Sequence, residues 1–404
     1  MAARINATYQ LDTAIAPERA ADIIAGEQSS GTFVPIPGED EALKARAAAT
    51  WEIAPLEQAS TAASGPNQRY LLKLSWPLQN VGASLPNLMA TVAGNLYELK
   101  HVAGLRLLDI ELPDEFAAAY PGPAFGIAGT RKLAGVPEGP LVGTIIKPSV
   151  GLSAEGTAEF VDQLCAAGVD FIKDDELQAD GPACPFDERV RKVMDVINRH
   201  ADRSGKRVMY AFNLTGELDE MKRRHDLVLS LGGTLTMLSL NSVGMTGFNA
   251  FRKHAQLPIH AHRNGWGYLQ GGWSYIAWQK LWRLAGADQM HVNGLANKFQ
   301  ESDESVIASA RACLTPMFAH KPCTVMPVFS SGQTVKQAPG TWAALQSTDL
   351  IFLAGGGLFA HPGGIAAGVA ALRQSWEAAM QGVPLDTAAK THRELREALE
   401  KFSG

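Results

Sequence analysis

Val169-Asp170-Phe171-Ile172-Lys173-Asp174-Asp175-Glu176 opens as a buried strand and closes as a lysine followed by three carboxylates. A run of four charges is ordinarily a solvated loop whose members neutralise one another. The apolar residues before it point elsewhere: a strand that ends in these charges delivers them to a barrel mouth, where hard oxygen ligands gather Mg2+. A carboxylated lysine would add one more oxygen.

Working outward, seven further apolar runs share the rhythm of this one. The eight candidate strands are Leu141 to Ile146, Val169 to Ile172, Arg207 to Phe212, Leu235 to Leu240, Leu257 to Ala261, Gln289 to Val292, Thr324 to Val328 and Leu350 to Ala354. They recur at roughly 25 to 35 residues, the repeat of a (β/α)8 barrel. Amphipathic stretches such as Glu188 to His200 lie between them. Periodicity alone leaves a doubly wound parallel sheet open as the alternative. Residues 1 to about 125 differ, mixing a strand at Arg69 to Trp76 with helical stretches at Glu41 to Ala49 and Leu85 to Ala93. They read as a separate α+β domain, with the Pro121-Gly122-Pro123 cluster at the junction and a barrel domain over 126–404. The tail from Asp386 to Phe402 reads as a charged terminal helix.

Composition narrows the function. The 404 residues are 46% apolar, as in an ordinary globule, and a formal charge of −5 gives no general attraction to nucleic acid or anionic membrane. Met1 to Ala20 lacks the apolar core of a signal peptide, and no apolar run suffices to span a bilayer, so a cytoplasmic location is expected. Cys165, Cys184, Cys313 and Cys323 form no C-x-x-C pair and are expected to be reduced thiols.

Polar residues end nearly every candidate strand, which is where barrel enzymes place their chemistry. Lys147 follows the first; Lys173, Asp175 and Glu176 the second; His260, His262 and Arg263 the fifth. His291 belongs to the sixth and Lys298 to the loop after it; Ser330, Ser331 and Gly332 follow the seventh, and Gly355 to Gly357 the eighth. A glycine run alone is more often a tight turn than a site. After the eighth strand of a barrel, backbone N–H groups at a helix start are placed to hold phosphate.

These residues carry a resemblance. Gly143 to Pro148, Phe171 to Glu176, His260-Ala261-His262-Arg263 and Ala354 to Gly357, with Glu27 to Thr32 and Gly94-Asn95 earlier, resemble the ribulose bisphosphate carboxylase (RuBisCO) large subunit, and more closely a RuBisCO-like protein. The resemblance implies an α/β chain with an N-terminal α+β, ferredoxin-like domain before a TIM barrel. It implies homodimers or larger homo-oligomers, with Glu27, Thr32 and Asn95 completing a neighbouring subunit's site. Lys173 would be carbamylated by CO2 and would bind Mg2+ with Asp175 and Glu176. The metal would polarise a ketone and stabilise an enediolate. Lys147 would move a proton at a substrate carbon, His262 and His291 would bond substrate oxygens, and Arg263 would hold phosphate. Lys298 matches a mobile-loop lysine that reaches over a carboxylate or CO2. Ser330, Gly332, Gly356 and Gly357 match positions around substrate phosphate and oxygens. His260 has a structural reading as strong as its functional one.

Three departures bear on the reaction. Ser149 stands where the carboxylases have a second lysine, Trp266 where they have histidine, and Ser331 where they usually have glycine. Trp266, with Trp273, Trp278 and Trp282, is expected to pack a long helix. The departures weigh against carboxylation of ribulose bisphosphate, whereas the metal triad and Lys147 favour retained enolate chemistry. Of the RuBisCO-like options, action on 3-oxo-isoapionate 4-phosphate in apiose breakdown, by decarboxylation or by transcarboxylation and hydrolysis, suits a carboxylate-holding Lys298 and a phosphate-holding Arg263. Enolisation or isomerisation of methylthio-sugar phosphates in methionine salvage is the alternative. A noncatalytic sugar-phosphate-binding barrel would retain fewer of these groups.

Overall fold

The computed structural model of the chain describes residues 3–31, 37–38, 40–56 and 68–403. It divides into two compact units, one of residues 1–121 with 265–284 and the other of 122–264 with 285–404.

In the first unit, strands β1 (Arg4–Thr13), β2 (Thr50–Pro55), β3 (Gln68–Pro77) and β4 (Gly104–Glu111) form an antiparallel sheet in the order β2-β3-β1-β4. Successive side chains of a strand point to opposite faces, so β1 buries Ile5, Ala7, Tyr9 and Leu11 while β3 buries Tyr70, Leu72, Leu74 and Trp76. The helix Pro17–Glu27 buries Ala20, Ala21, Ile24 and Ala25. The helix Leu85–Val92 is capped by Ser84 and is tied down where Tyr9 donates its hydroxyl to Val92 O at 2.7 Å. Asp40 caps the helix Glu41–Ala47 by accepting from Leu43 N.

Trp266, Tyr275, Trp278 and Trp282 also belong to this unit. Their rings lie 5.2 to 5.6 Å apart along the chain of contacts Tyr275–Trp266–Trp278–Trp282. Edge-on and tilted pairs at this spacing are favourable aromatic packing. The tryptophans are buried as expected, but not along one long helix: Trp278 and Trp282 lie on the helix Tyr275–Ala285, Trp266 opens the short helix Trp266–Leu269 and Trp273 lies between the two.

The second unit is built on β5 (Leu141–Ile145), β6 (Phe171–Lys173), β7 (Met209–Asn213), β8 (Leu235–Ser239), β9 (Ile259–His262), β10 (Gln289–His291), β11 (Met326–Phe329) and β12 (Ile351–Leu353). All eight are parallel neighbours, and β12 pairs β5 through Ile351 and Leu141 to close the barrel. A closed barrel excludes the doubly wound sheet. Leu141, Phe171, Met209, Leu235, Met237, Met326, Val328 and Leu353 fill its core. All eight expected strands are present, several displaced one or two residues toward the C-terminus. Asp170, expected within β6, instead lies before it, accepting from Val142 N, Lys206 and Arg373. The charged tail is two helices, Leu385–Ala388 and Arg393–Lys401, not one. All four cysteines are free, and among the described residues no helix is long and apolar enough to cross a membrane.

Candidate active site

Lys173 is the last residue of β6, pairing across to Ile145 and Ala211, so its side chain rises inside the barrel wall with 1% of its surface exposed. Burial pushes its pKa below the ordinary lysine value, against the opposing fields of Glu176, Asp175 and Asp174; the nearby Lys147 pushes the same way as burial. Its Nζ donates to Asp174 O at 2.8 Å and lies 3.5 Å from Glu176 Oε2. Burial thus favours the neutral amine, the form of lysine that reacts with CO2. With Asp175 and Glu176 beside it, the donor set after carbamylation is three anionic oxygens, which fits Mg2+.

Asp174 faces away from that set. Its carboxylate accepts from Tyr210 OH at 2.6 Å, Asn213 N at 2.9 Å and Arg189 Nη2 at 3.2 Å, all buried. Asn213 Nδ2 then donates to the carbonyls of Asp175 and Glu176 at 3.4 and 3.2 Å. The backbone carrying the two acids is thus bolted to β7. These supporting residues escaped the sequence reading. Nothing in the triplet set Asp174 apart from the two acids beside it, and Asn213 and Arg189 carried no signal either.

Lys147 lies just past β5 and precedes a cis peptide bond to Pro148. Its Nζ donates to Asp175 Oδ2 at 2.7 Å and to Ser149 Oγ at 2.8 Å. Ser149 therefore replaces a charge by a hydrogen-bond acceptor for Lys147.

Three histidine rings cluster on β9 and β10, His262 and His291 4.4 Å apart and each within 6.4 Å of His260. Burial holds all three well below the usual histidine pKa, so the rings are neutral. His262 Nδ1 meets Asn264 N at 3.2 Å and Asn264 Oδ1 at 3.3 Å, and its Nε2 lies 3.4 Å from Glu176 Oε2. His291 Nε2 meets Ser330 Oγ at 3.1 Å. His260 bonds Gln289 Oε1 through Nδ1 at 3.0 Å and lies tilted 5.6 Å from the Phe171 ring. That is the surrounding of a core residue.

Arg263 donates through Nη2 to Glu301 Oε2 at 2.5 Å, and Asn293 Nδ2 donates to the same oxygen at 2.6 Å. Ser331, at φ +72°, donates to Asn293 Oδ1 at 2.9 Å, and its carbonyl accepts from Lys298 N at 3.2 Å. Asn293 and Glu301 were not foreseen; Glu301 lies only three residues beyond Lys298. The Lys298 side chain is exposed, with Nζ 5.2 Å from the centre of the exposed Phe299 ring. Gly332 sits at φ +90°, and a methyl added there would meet Lys298 at 3.8 Å.

The glycines after β12 divide. A methyl on Gly357 would lie 2.2 Å from Gln333 O, so this glycine exists for close packing, whereas Gly355 and Gly356 have open space among the described residues. The close approach concerns a side chain at Gly357 and leaves its expected role through the backbone N–H untouched.

In the first unit, Glu27 is exposed at its helix end and Asn95 precedes the turn Leu96–Glu98. The Gln28 amide lies between their segments, within 3.3 Å of Ala90 O and 3.2 Å of Asn95 N, and bonds both when its nitrogen is assigned to the Ala90 side. Thr32 lies outside the described residues.

Elsewhere, His225, Asp226 and His254 converge in a way that invites a metal. Gln256 N donates to His225 Nε2 at 3.0 Å, which puts the proton on Nδ1, where it bonds Asp226 at 2.9 Å. Both ring nitrogens of His225 are spoken for, and the trio is a hydrogen-bonded unit.

Residues 126–402 match the model of the ribulose bisphosphate carboxylase large chain catalytic domain, and residues 4–116 that of its N-terminal domain. A 3-oxo-isoapionate-4-phosphate transcarboxylase/hydrolase of Xanthobacter autotrophicus is 56% identical over 99% of each chain. A 3-oxo-isoapionate-4-phosphate decarboxylase of Rhizobium etli is 44% identical, also over 99% of each. The crystal structure of a RuBisCO-like protein from Burkholderia fungorum superposes with a TM-score of 0.91 at 46% identity, over 99% of this chain and 100% of that one. With both domains matched along nearly their whole length, the chain belongs to the ribulose bisphosphate carboxylase large-chain family.

Proposed function

We propose that this chain is an enzyme that breaks and remakes carbon–carbon bonds in 3-oxo-isoapionate 4-phosphate, releasing 3-phosphoglycerate and glycolate. The observation that carries the reading is the full-length 56% identity to a transcarboxylase/hydrolase of that substrate, joined to a mouth that keeps Lys147, Lys173, Asp175 and Glu176 together. The decarboxylase at 44% identity marks the simpler course in which CO2 leaves for good.

Lys173 reacts as a neutral amine with CO2, losing a proton to become a carbamate. Asp175, Glu176 and that carbamate are the groups to hold Mg2+, which when bound supplies Lewis acidity toward the substrate ketone. Asp175 would be one of the groups holding the metal, and Lys147, whose Nζ lies 2.7 Å from Asp175 Oδ2, would deliver a proton to substrate carbon. His262 and His291, both neutral, donate to substrate oxygens without adding charge. Arg263 takes the phosphate and Lys298 the carboxylate. Loss of CO2 from the β-keto acid leaves an enediolate; its recarboxylation at the neighbouring carbon and addition of water split five carbons into three and two. Glu27, Thr32 and Asn95 are proposed to complete this site in a homodimer or larger homo-oligomer.

The test is product analysis by mass spectrometry after incubation with Mg2+, bicarbonate and 3-oxo-isoapionate 4-phosphate, beside ribulose bisphosphate and methylthioribulose 1-phosphate. 3-Phosphoglycerate with glycolate supports transcarboxylation and hydrolysis, and a four-carbon ketose phosphate reduces the reading to decarboxylation. Survival of the keto acid while another substrate reacts overturns it.

A further inference from the structure

Arg263 already has an anion. Glu301 Oε2 accepts from Arg263 Nη2 at 2.5 Å and from Asn293 Nδ2 at 2.6 Å, and Glu301 Oε1 accepts from Ser305 Oγ at 2.9 Å. Both partners of the ion pair are about nine-tenths buried, with side-chain exposures of 9% and 10%. Glu301 is carried by the loop of Lys298, whose own backbone is pinned to Ser331 and whose Asn297 donates to Glu301 O at 3.0 Å. A chain that uses Arg263 to grip its substrate has filled that grip with a carboxylate of its own.

We propose that Glu301 is a specificity-determining residue that makes Arg263 select phosphate over carboxylate. The inference rests on the reading above, in which the substrate carries one group of each kind. A substrate carboxylate arriving at Arg263 offers the same chemistry as Glu301. It must displace a competitor tethered beside the arginine at high effective concentration, and it forfeits the bonds of Glu301 to Asn293 and Ser305. A phosphate dianion brings a second charge and a third oxygen to the planar guanidinium fork, and it repels the carboxylate it replaces. Only the phosphate end wins the exchange. A substrate with two anionic ends is thereby kept from binding reversed, and its carboxylate is left for Lys298. This is discrimination by an internal rival rather than by an added attraction. Asn293 and Ser331 take part by holding Glu301 in the rival's position, through Ser331 Oγ to Asn293 Oδ1 at 2.9 Å.

Equilibrium dialysis of the Mg2+- and bicarbonate-loaded protein with labelled glycerol 3-phosphate and labelled glycerate tests this, because the two ligands differ mainly in their anion. In the wild type the phosphate binds and glycerate competes poorly. Glu301→Gln removes the rival's charge, so the preference for phosphate is expected to fall about tenfold, mainly through tighter glycerate binding. In the Arg263→Ala background the same substitution should change nothing. Asn293→Ala and Ser305→Ala loosen Glu301 without neutralising it and should shift the preference the same way by a smaller factor; they carry the test if Glu301→Gln does not fold. An unchanged preference in all three variants, weaker binding of both ligands, or a shift that persists without Arg263 overturns the proposal. The readout needs no turnover. A keto acid that goes unreacted in the product assay, with the selectivity shift intact, sinks the substrate assignment and leaves the role of Glu301 standing.

Discussion

Asp174→Ala should cost the protein about 4 kcal/mol without touching the metal set. The carboxylate is 1% exposed and accepts from Tyr210 OH, Asn213 N and Arg189 Nη2. Removing it leaves a buried guanidinium without its counter-charge, and breaking such a pair costs about 3–5 kcal/mol. It also orphans a hydroxyl and a backbone N–H, at roughly 1–3 kcal/mol each. These terms overlap, and Arg189 keeps the carbonyls of Cys184 and Ala179 at 3.1 and 2.8 Å, which holds the total near the pair value. At roughly 2–4 °C per kcal/mol, thermal melting should fall by about 10 °C. Asp174→Asn is the control for charge: its amide offers one acceptor to three donors and turns N–H toward another, so it should lose roughly half as much or more. A second readout follows from the backbone that Asp174 and Asn213 hold in common. With the Asp175–Glu176 backbone loosened, the carbamate signal of Lys173 in 13C NMR under labelled CO2 should weaken at temperatures where the variant is still folded. A melting point within about 2 °C of wild type would refute the argument that this acid is the structural bolt of the mouth.

Three further outcomes are expected. Gly357→Ala forces a methyl to 2.2 Å from Gln333 O and should destabilise by about 1–3 kcal/mol or more, whereas Gly356→Ala meets open space; equal denaturant midpoints would contradict the split between the two glycines. Burial holds the His260 pKa well below 6.5, so the unfolded chain binds its proton first: the folded state is favoured above pH 6.5 and loses that advantage as pH falls toward the folded pKa. The slope of stability against pH below 6.5 should therefore flatten in His260→Gln by up to about 1.4 kcal/mol per pH unit, as read from urea unfolding at pH 7.0, 6.0 and 5.0. Lys147→Met should lower turnover by about 10²–10⁴-fold while retaining the carbamate on Lys173; turnover near wild type would remove Lys147 from proton transfer.

The barrel was legible because its signals are local. Each β-strand is an apolar run of the right length, and the residue after the run is where the chemistry stands, so Lys147, Lys173, Glu176, His262 and His291 could be placed by counting. The displaced boundaries have a common cause: strands such as β6 and β7 run on into buried polar residues, Lys173 and Asn213, that an apolar count stops short of. The terminal tail misled for the opposite reason. Its helical pattern continues through Ala389 to His392, but the chain turns there, and nothing in the charge periodicity announces the break.

What could not be read is the partnering of one polar residue by another far away in sequence. Asp174 and Arg189 are joined across 15 positions, Arg263 and Glu301 across 38, and Asn293 and Ser331 across 38 again. Each of these residues alone is an ordinary polar group on a loop or helix. Their meaning comes from closure of the barrel, which brings the ends of β9, β10 and β11 side by side. A motif therefore points to the groups proposed to touch substrate. The groups that decide which end of a substrate binds where answer to their neighbours in space. For that reason the contacts of Ser331, Asn293 and Glu301 around Arg263 are read from the fold and not from a motif.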